Sequence, residues 1–379
     1  MKKKIGIIAG GGTGGHIYPG VAIARALAKI SDDYEIHFVG SPDGLETKIV
    51  PQEGFPLHLI QVPKLNYAGS QLEKLKRAAA LPNAFVKCLK LLRDLKPEFV
   101  LGVGGFASGP FTLAAALMGV PTAIWEANSQ PGLTNRWLSR FVKRCYVVFP
   151  EAREQLHAKD LREYGIPVRA GITQMHRQNN SVPEINRPFR ILVFGGSQGA
   201  RALNNCLMEL VKTHDLSSLG IEITHQTGRA DFEKVQATYV GHANVQALEF
   251  LSPMEDHYRW ADLVICRSGA STVAEITAVG KPAIFVPLPS AADDHQRKNA
   301  EALVNQEAGI LLLQSELSCD SLMKNILDLQ RNSNRRAKIG QNASRLFKDH
   351  AAEKIAAELL TLKDLKPLLA DREIGNTKL

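Results

Sequence analysis

Two stretches of this chain, IGIIAGGGTGGH at residues 5–16 and ILVFGGSQGA at residues 191–200, follow one plan. A short apolar run ends in a cluster of glycines and passes directly into a helical pattern. Short apolar runs bounded by glycine read as buried strands, and strands alternating with helical stretches read as a parallel sheet covered by helices. In the first part the strand candidates are Ile5–Ala9, Glu35–Val39, Phe99–Val103, Thr122–Trp125 and Cys145–Val148, with helical patterns such as Pro19–Ile30 and Gly109–Met118 between them. The plan restarts at Arg190–Phe194. It continues through Ile221–His225, Val245–Leu248, Leu263–Cys266, Ala283–Val286 and Ile310–Leu313. Two doubly wound α/β domains facing one cleft are expected, with ligands at the carboxyl ends of the strands.

A chain of 379 residues suits two such domains. The break falls at Tyr164-Gly165-Ile166-Pro167 and the polar stretch Arg177–Pro188. The expected division is 1–165 and 166–341, with a helix at about 342–364 packing back on the first domain and a short tail over 365–379. Five scattered cysteines without a CxxC pair suggest neither a disulfide framework nor a zinc site. The opening MKKKIGIIAGGG is interrupted by glycine too early for a secretory signal, and nothing reaches the roughly 20 apolar residues of a membrane span. A formal net charge of +8 points to polyanionic partners. The sequence carries no recognised nucleic-acid motif, so nucleic acid is not expected among them.

Five of the seven residues Gly10–His16 are glycine, more than a simple turn requires. Glycine admits positive φ and lets a ligand approach the backbone, and a helix starting near Pro19 would turn its N–H groups toward an anion. No GK[ST] follows, so this is not a P-loop. Phe38-Val39-Gly40 stands where a dinucleotide site would carry an acidic residue, which argues against a dehydrogenase. Gly195–Arg201 repeats the logic with a hydroxyl at Ser197, and here the diphosphate of a nucleotide is expected. A third turn, Gly102–Phe106, ends another strand.

Polar clusters follow other strands. Glu126 and Asn128 in WEANS suit a sugar or acceptor hydroxyl, or a plain capped loop. CRSGASTVAE at 266–275 reads as strand, turn and helix start. Thr272 and Glu275 would cap that helix, or Glu275, on its first turn, would accept from two ribose hydroxyls. Asp293-Asp294-His295-Gln296 ends a further strand and suits sugar hydroxyls better than a metal.

Taken in order, GGTGGH with YPG, GGFASGP, E-x-N with GLTNRW, GIPVR, GGSQGARALN and CRSGASTVAEI with GKPAIFVPLP resemble the MurG family of UDP-N-acetylglucosamine transferases, from Lys4 to about Leu362. The resemblance implies a GT-B fold of two Rossmann-like domains. It implies an inverting, metal-independent transfer of N-acetylglucosamine from UDP-GlcNAc to the muramic acid 4-hydroxyl of undecaprenyl-linked lipid I, with no cofactor. Carried over by position, Thr13, Gly14 and Gly15 would line the diphosphate and sugar, and Asn128 would face the sugar. Arg169 and Ser197 would approach the diphosphate, and Leu251 would border the uracil. Ala270, Ser271, Thr272, Val273, Ala274 and Glu275 would wrap the nucleotide, with Glu275 on the ribose and Gln296 on the N-acetylglucosamine. Ile166 before Pro167 and His295 before Gln296 depart from the pattern. His16 is the expected general base, with Glu126 as its rival. The nearest alternatives are another lipid-directed GT-B transferase and a UDP-GlcNAc epimerase.

Leu72–Lys96 sets Lys74, Lys76, Arg77, Lys87, Lys90, Arg93 and Lys96 against an apolar set of Leu72, Leu75, Leu81, Phe85, Leu89 and Leu92, with Pro82 expected to split it into two helices. A basic amphipathic stretch fits an anionic membrane surface, and Arg136, Arg140, Lys143 and Arg144 would extend it. The resemblance places the protein peripherally on the cytoplasmic face of the bacterial inner membrane, with cell-wall synthesis proteins as partners.

Overall fold

The computed structural model describes residues 3–12, 14–63, 71–105, 107–177, 187–196, 198–291 and 294–365, the side chains of 71–80 and of Ala170 excepted. Thr13 and Ser197 therefore lie outside the described residues, as do the side chains of Leu72, Lys74, Leu75, Lys76 and Arg77 and the tail beyond 365. The chain forms two compact units, one of 1–168 with 350–379 and one of 169–349.

The first unit is built on a parallel sheet. Its strands are β1 (Lys4–Gly10), β2 (Tyr34–Gly40), β3 (Leu57–Leu59), β4 (Phe99–Gly104), β5 (Thr122–Glu126), β6 (Arg144–Val147) and β7 (Asp160–Glu163), in the order β3-β2-β1-β4-β5-β6-β7. Side chains alternate across the sheet. Ile7 and Ala9 join Val100 under the helices Gln71–Leu95 and Ser108–Leu117, through Ala84, Cys88, Leu92 and Phe111. Ile8 and Phe38 face the helix Gly14–Ile30, where Gly20 lets the helix approach the sheet. Gly6 stands inside β1 because Phe99 fills its side: a Cβ there would lie 2.4 Å from the Phe99 ring.

Two helix expectations change. The first helix begins at Gly14, so Pro19 lies inside it and does not open it. Gln71–Leu95 is one helix with Pro82 inside it. Its described apolar residues Ala84, Cys88 and Leu92 are buried in the core, with Phe85 and Leu89 packed against it.

The second unit repeats the architecture. Strands β8 (Phe189–Phe194), β9 (Ile221–Gln226), β10 (Val245–Leu248), β11 (Leu263–Cys266), β12 (Ala283–Phe285) and β13 (Ile310–Leu311) lie parallel in the order β10-β9-β8-β11-β12-β13. Ile191, Val193, Ile223 and Ile265 pack against Leu203, Leu207, Val235, Leu322 and Ile326 of the covering helices.

The segment expected as one helix over 342–364 is two: Ser333–Leu346 in the second unit and Ala351–Leu360 in the first. The latter packs on Gly14–Ile30. Its Glu358 forms an ion pair with Arg144 Nη1 at 2.8 Å and accepts a hydrogen bond from the Tyr164 hydroxyl at 2.6 Å. Arg144, only 4% exposed, also binds Asp160, and Lys143 donates to the Leu362 and Lys363 carbonyls. Neither residue extends a basic surface patch as expected; both tie the returning helix and its following turn to the edge of the sheet.

Candidate active site

In each unit the strand order reverses direction once, between β1 and β4 and between β8 and β11. A crevice forms where the connections diverge, outside the carboxyl ends of the strands. All the glycine turns singled out in the sequence lie at those ends.

In the first unit the turn after β1 is held on two sides. Gly11 N donates to Gly104 O at 3.1 Å, and Gly105 approaches so closely that a Cβ on it would lie 2.3 Å from Gly11 O. On the other side Gly12 N donates to Glu46 Oε2 at 2.8 Å. Glu46 Oε1 accepts from Ser41 N at 2.8 Å and from Ser41 Oγ at 2.9 Å. An internal carboxylate thus takes an N–H that the sequence reading offered to a ligand phosphate. Half-buried His16 lies against the end of β4, where a Cβ on Gly104 would sit 2.8 Å from its ring. Gly14 and Gly15, half-buried, form the first turn of the same helix.

Glu126 ends β5 and is 3% exposed. Its Oε1 accepts from Asn128 N at 2.9 Å and Asn128 Nδ2 at 3.2 Å. Its Oε2 accepts from Gly132 N at 3.1 Å and Asn135 Nδ2 at 2.9 Å. Burial raises its pKa, opposed by these hydrogen bonds. A carboxylate that accepts four hydrogen bonds from the following loop and helix start orders Asn128, which leaves the base role proposed below to His16. Asn128 itself is half-buried at the edge.

In the second unit the turn after β8 is interlocked with the turn after β9. Gly199 (φ 73°) and Gly228 (φ 74°) sit back to back: a Cβ on the first would lie 1.9 Å from Thr227 O, and on the second 2.3 Å from Gln198 O. Gly196 has φ 90°, yet its missing side chain points to open space. Behind the turn, buried Asn204 donates to Thr227 O and Asp231, and its Oδ1 lies 3.0 Å from His225 Nε2.

Helices Arg201–Thr213, Ala270–Val279 and His295–Val304 begin at this edge. Their N-cap residues Ala200, Gly269 and Asp294 make no side-chain cap. By contrast, Ser318 and Asn332 cap the helices Cys319–Arg331 and Ser333–Leu346. Uncapped helix N-termini present free N–H groups and positive partial charge to an anion. Ser271 and Thr272 are half-buried on the first turn, whereas Ala270, Val273 and Ala274 are buried and offer backbone only. Neither Thr272 nor Glu275 caps this helix, and Glu275 lies on its second turn, not its first.

Arg169 Nη2 donates to Glu275 Oε1, so the residues expected on diphosphate and ribose are already partners. The buried Tyr258 hydroxyl donates to Glu275 Oε2. Gln296 Oε1 accepts from Leu288 N at 3.0 Å, leaving its Nε2 donor without a partner among the described residues. Leu251 is 7% exposed in the loop after β10. Arg267 directly follows β11 as a buried cation, its pKa lowered by burial, donating to the Val286 and Pro287 carbonyls and to Gln314. It braces the loop after β12 from beneath. No group of three or more His, Cys, Asp or Glu side chains that could hold a metal occurs among the described residues.

Glu46, Tyr258 and Arg267 were not assigned roles from sequence. The one signal for Glu46 was the spacing Gly40, Gly44, Glu46 after a strand.

The comparisons agree with this two-unit arrangement. Residues 7–147 match the glycosyltransferase family 28 N-terminal domain and residues 190–358 its C-terminal domain. The chain is 46% identical over 361 residues to the UDP-N-acetylglucosamine–N-acetylmuramyl-(pentapeptide) pyrophosphoryl-undecaprenol N-acetylglucosamine transferase of Bdellovibrio bacteriovorus, covering 95% of this chain and 99% of that one. The crystal structure of Acinetobacter baumannii MurG superposes with a TM-score of 0.76 at 29% identity, over 94% of this chain and 99% of that one. A UDP-GlcNAc 2-epimerase from Neisseria meningitidis bound to UDP-GlcNAc, 13% identical over 94% of this chain and all of that one, shares the fold alone at a TM-score of 0.65. The chain belongs to glycosyltransferase family 28 and, within it, to the MurG transferases of the GT-B fold.

Proposed function

We propose that this enzyme moves N-acetylglucosamine from UDP-GlcNAc to the 4-hydroxyl of the muramic acid on undecaprenyl-pyrophosphoryl lipid I, with inversion, to give lipid II. The observation that carries the donor half is the edge of the second unit, where open Gly196 and three uncapped helix N-termini end next to one another. The diphosphate is assigned to the Gly195–Gly199 turn with Ser197, the ribose to Glu275, the uracil to the loop at Leu251 and the sugar to Gln296. A carboxylate offers about four acceptor positions. Arg169 and Tyr258 use two on Glu275, which leaves capacity for two ribose hydroxyls.

The acceptor is assigned to the first unit at His16, while Thr13, Gly14 and Gly15 are assigned to the diphosphate and sugar and Asn128 to the sugar. His16 takes the proton from the attacking hydroxyl as the C1–O bond forms and the bond to UDP breaks. The charge on departing UDP is met by Ser197, Arg169 and the helix N-termini, so neither metal nor cofactor is assigned a role.

A peripheral site on the cytoplasmic face of the inner membrane fits a lipid-linked acceptor. Leu133, Trp137 and Phe141 are exposed beside exposed Arg136 and Arg140, and among the described residues no helix is long and apolar enough to cross a membrane.

Transfer of labelled N-acetylglucosamine to a short-chain lipid I analogue, with EDTA present, tests donor, acceptor and metal independence together. His16→Ala is expected to lower kcat at least a hundredfold with UDP affinity within twofold of wild type. An unchanged kcat removes His16 as the base.

A further inference from the structure

We infer that Glu46 is a positioning residue for the proposed transfer, acting through the loop that carries His16; the inference rests on the role given to His16 above. Glu46 opens the short helix Glu46–Gln52 and is 1% exposed. A carboxylate removed from water is costly unless its lone pairs are satisfied. Here the satisfaction comes from Gly12 N, Ser41 N and Ser41 Oγ, at 2.8 to 2.9 Å.

The surroundings are cleared for this carboxylate. A Cβ on Gly11 would lie 2.1 Å from Glu46 Oε1, one on Gly44 1.9 Å from Oε2, and one on Gly40 2.5 Å from Cγ. None of these three glycines needs a positive φ. They are small because the Glu46 side chain passes between them. The three come from the end of β1 and from either side of the turn after β2, so one side chain fixes the spacing of two strand ends.

What it fixes is the entry to the catalytic loop. Gly12 (φ 90°) is the last described residue before Thr13, and the helix with His16 starts at Gly14. The Gly11–Gly104 bond holds the loop from the β4 side, where the His16 ring rests on Gly104. Without the bond from Gly12 to Glu46, the loop loses one of its two described backbone anchors, and the start of the helix with His16 can shift with it. Glu46 touches neither substrate in this reading. Its loss is therefore expected in kcat, with the donor site in the second unit untouched.

The test compares wild type with Glu46→Gln, Gly44→Ala and Ser41→Ala. Glu46→Gln replaces one acceptor oxygen by an NH2 group that cannot accept. Gly44→Ala keeps the carboxylate but displaces it. Ser41→Ala removes the hydroxyl and keeps the Gly12 bond. The first two are expected to lower kcat at least tenfold, with UDP affinity within twofold of wild type, and Ser41→Ala to stay within threefold. Amide hydrogen exchange at Gly12, read on the same samples, is expected to quicken tenfold in the first two. Should Glu46→Gln fail to fold, Gly44→Ala carries the comparison. Wild-type kcat in Glu46→Gln, or a fall in kcat matched by an equal loss of UDP affinity, overturns the inference. If wild type itself transfers no sugar, the proposed function fails, while the exchange rate still reports whether Glu46 holds the loop.

Discussion

Arg169 Nη2 meets Glu275 Oε1 at 2.7 Å while the buried Tyr258 hydroxyl holds Oε2 at 2.9 Å, so the carboxylate assigned to the ribose is fixed before any nucleotide arrives. Preorganisation of this kind spares the ligand the ordering of a long side chain. Glu275→Gln is expected to weaken UDP binding by roughly 10- to 100-fold, the size of a lost hydrogen bond to a charged group at about 1.5–3 kcal/mol. Tyr258→Phe removes only the orienting bond and leaves the carboxylate in place, so it is expected to weaken UDP binding less than Glu275→Gln does. Calorimetric titration with UDP reads both. Wild-type affinity in Glu275→Gln removes Glu275 from the ribose.

Two glycines of the second turn are required for different reasons, and alanine separates them. At Gly199 an added Cβ meets the Thr227 carbonyl at 1.9 Å, a backbone atom that cannot yield without parting two strand ends. Gly199→Ala is expected to lower the melting temperature markedly, by at least about 2 kcal/mol in stability. At Gly196 an added Cβ meets nothing and only the left-handed backbone is strained, by about 1–2 kcal/mol. Gly196→Ala is expected to remain folded near the wild-type melting temperature while losing UDP affinity at least tenfold, because its methyl occupies ligand space. Full UDP binding by Gly196→Ala puts the diphosphate elsewhere.

His225 gives the second unit a pH dependence with a definite sign. Its imidazole is fully buried, and burial pulls its pKa down to about 4. Asn204 spends its Nδ2 on Thr227 and Asp231, so its Oδ1 must accept from His225 Nε2–H, and Nδ1 accepts from the Tyr239 hydroxyl at 2.7 Å. The folded state keeps the ring neutral where the unfolded chain, near pKa 6.5, takes up a proton. Stability from this group is complete above pH about 6.5 and is lost as pH falls toward 4, on the order of 3 kcal/mol at about 1.4 kcal/mol per pH unit. His225→Gln is expected to flatten the denaturation midpoint across that window. An unchanged slope would mean that other groups set the acid limb.

The strands that frame both sites were legible because each is a short, largely apolar run, and β1, β2, β4 and β8 pass directly into glycine. β7 and β3 were not. β7 reads Asp-Leu-Arg-Glu, an edge strand whose Asp160 pairs with Arg144 of β6 and with Arg162 and whose Glu163 pairs with Arg153, and β3 is only three residues long. The helix runs through Pro82, against a proline cost of about 3 kcal/mol, because the Ala84, Cys88 and Leu92 stripe packs onto the core, a contact that local sequence does not display. At the sites, the glycine turns could be seen but not what fills them. Glu46 and Tyr258 act across 34 and 17 residues of chain, and no local pattern announces a buried partner at that distance.

The same limit governs the proposed membrane face. The apolar side of Gln71–Leu95 counted toward a bilayer is, over its described residues, turned to the core, leaving Lys87, Lys90 and Arg93 exposed with Val86. Among the described residues, exposed Leu133, Trp137 and Phe141 are interleaved with exposed Arg136 and Arg140. Attraction and insertion are thereby assigned to different segments. Charge reversal at Lys87, Lys90 and Arg93 is expected to weaken binding to anionic vesicles in low salt, by about 1 kcal/mol per residue, and to matter little once salt screens the surface. Leu133→Ser with Trp137→Ser removes apolar area worth about 1.5–3 kcal/mol per side chain, so its loss of binding is expected to persist in high salt. Vesicle co-sedimentation at two ionic strengths separates the two effects. Equal salt dependence in both variants would place all of the attachment in charge and none in the 133–141 segment.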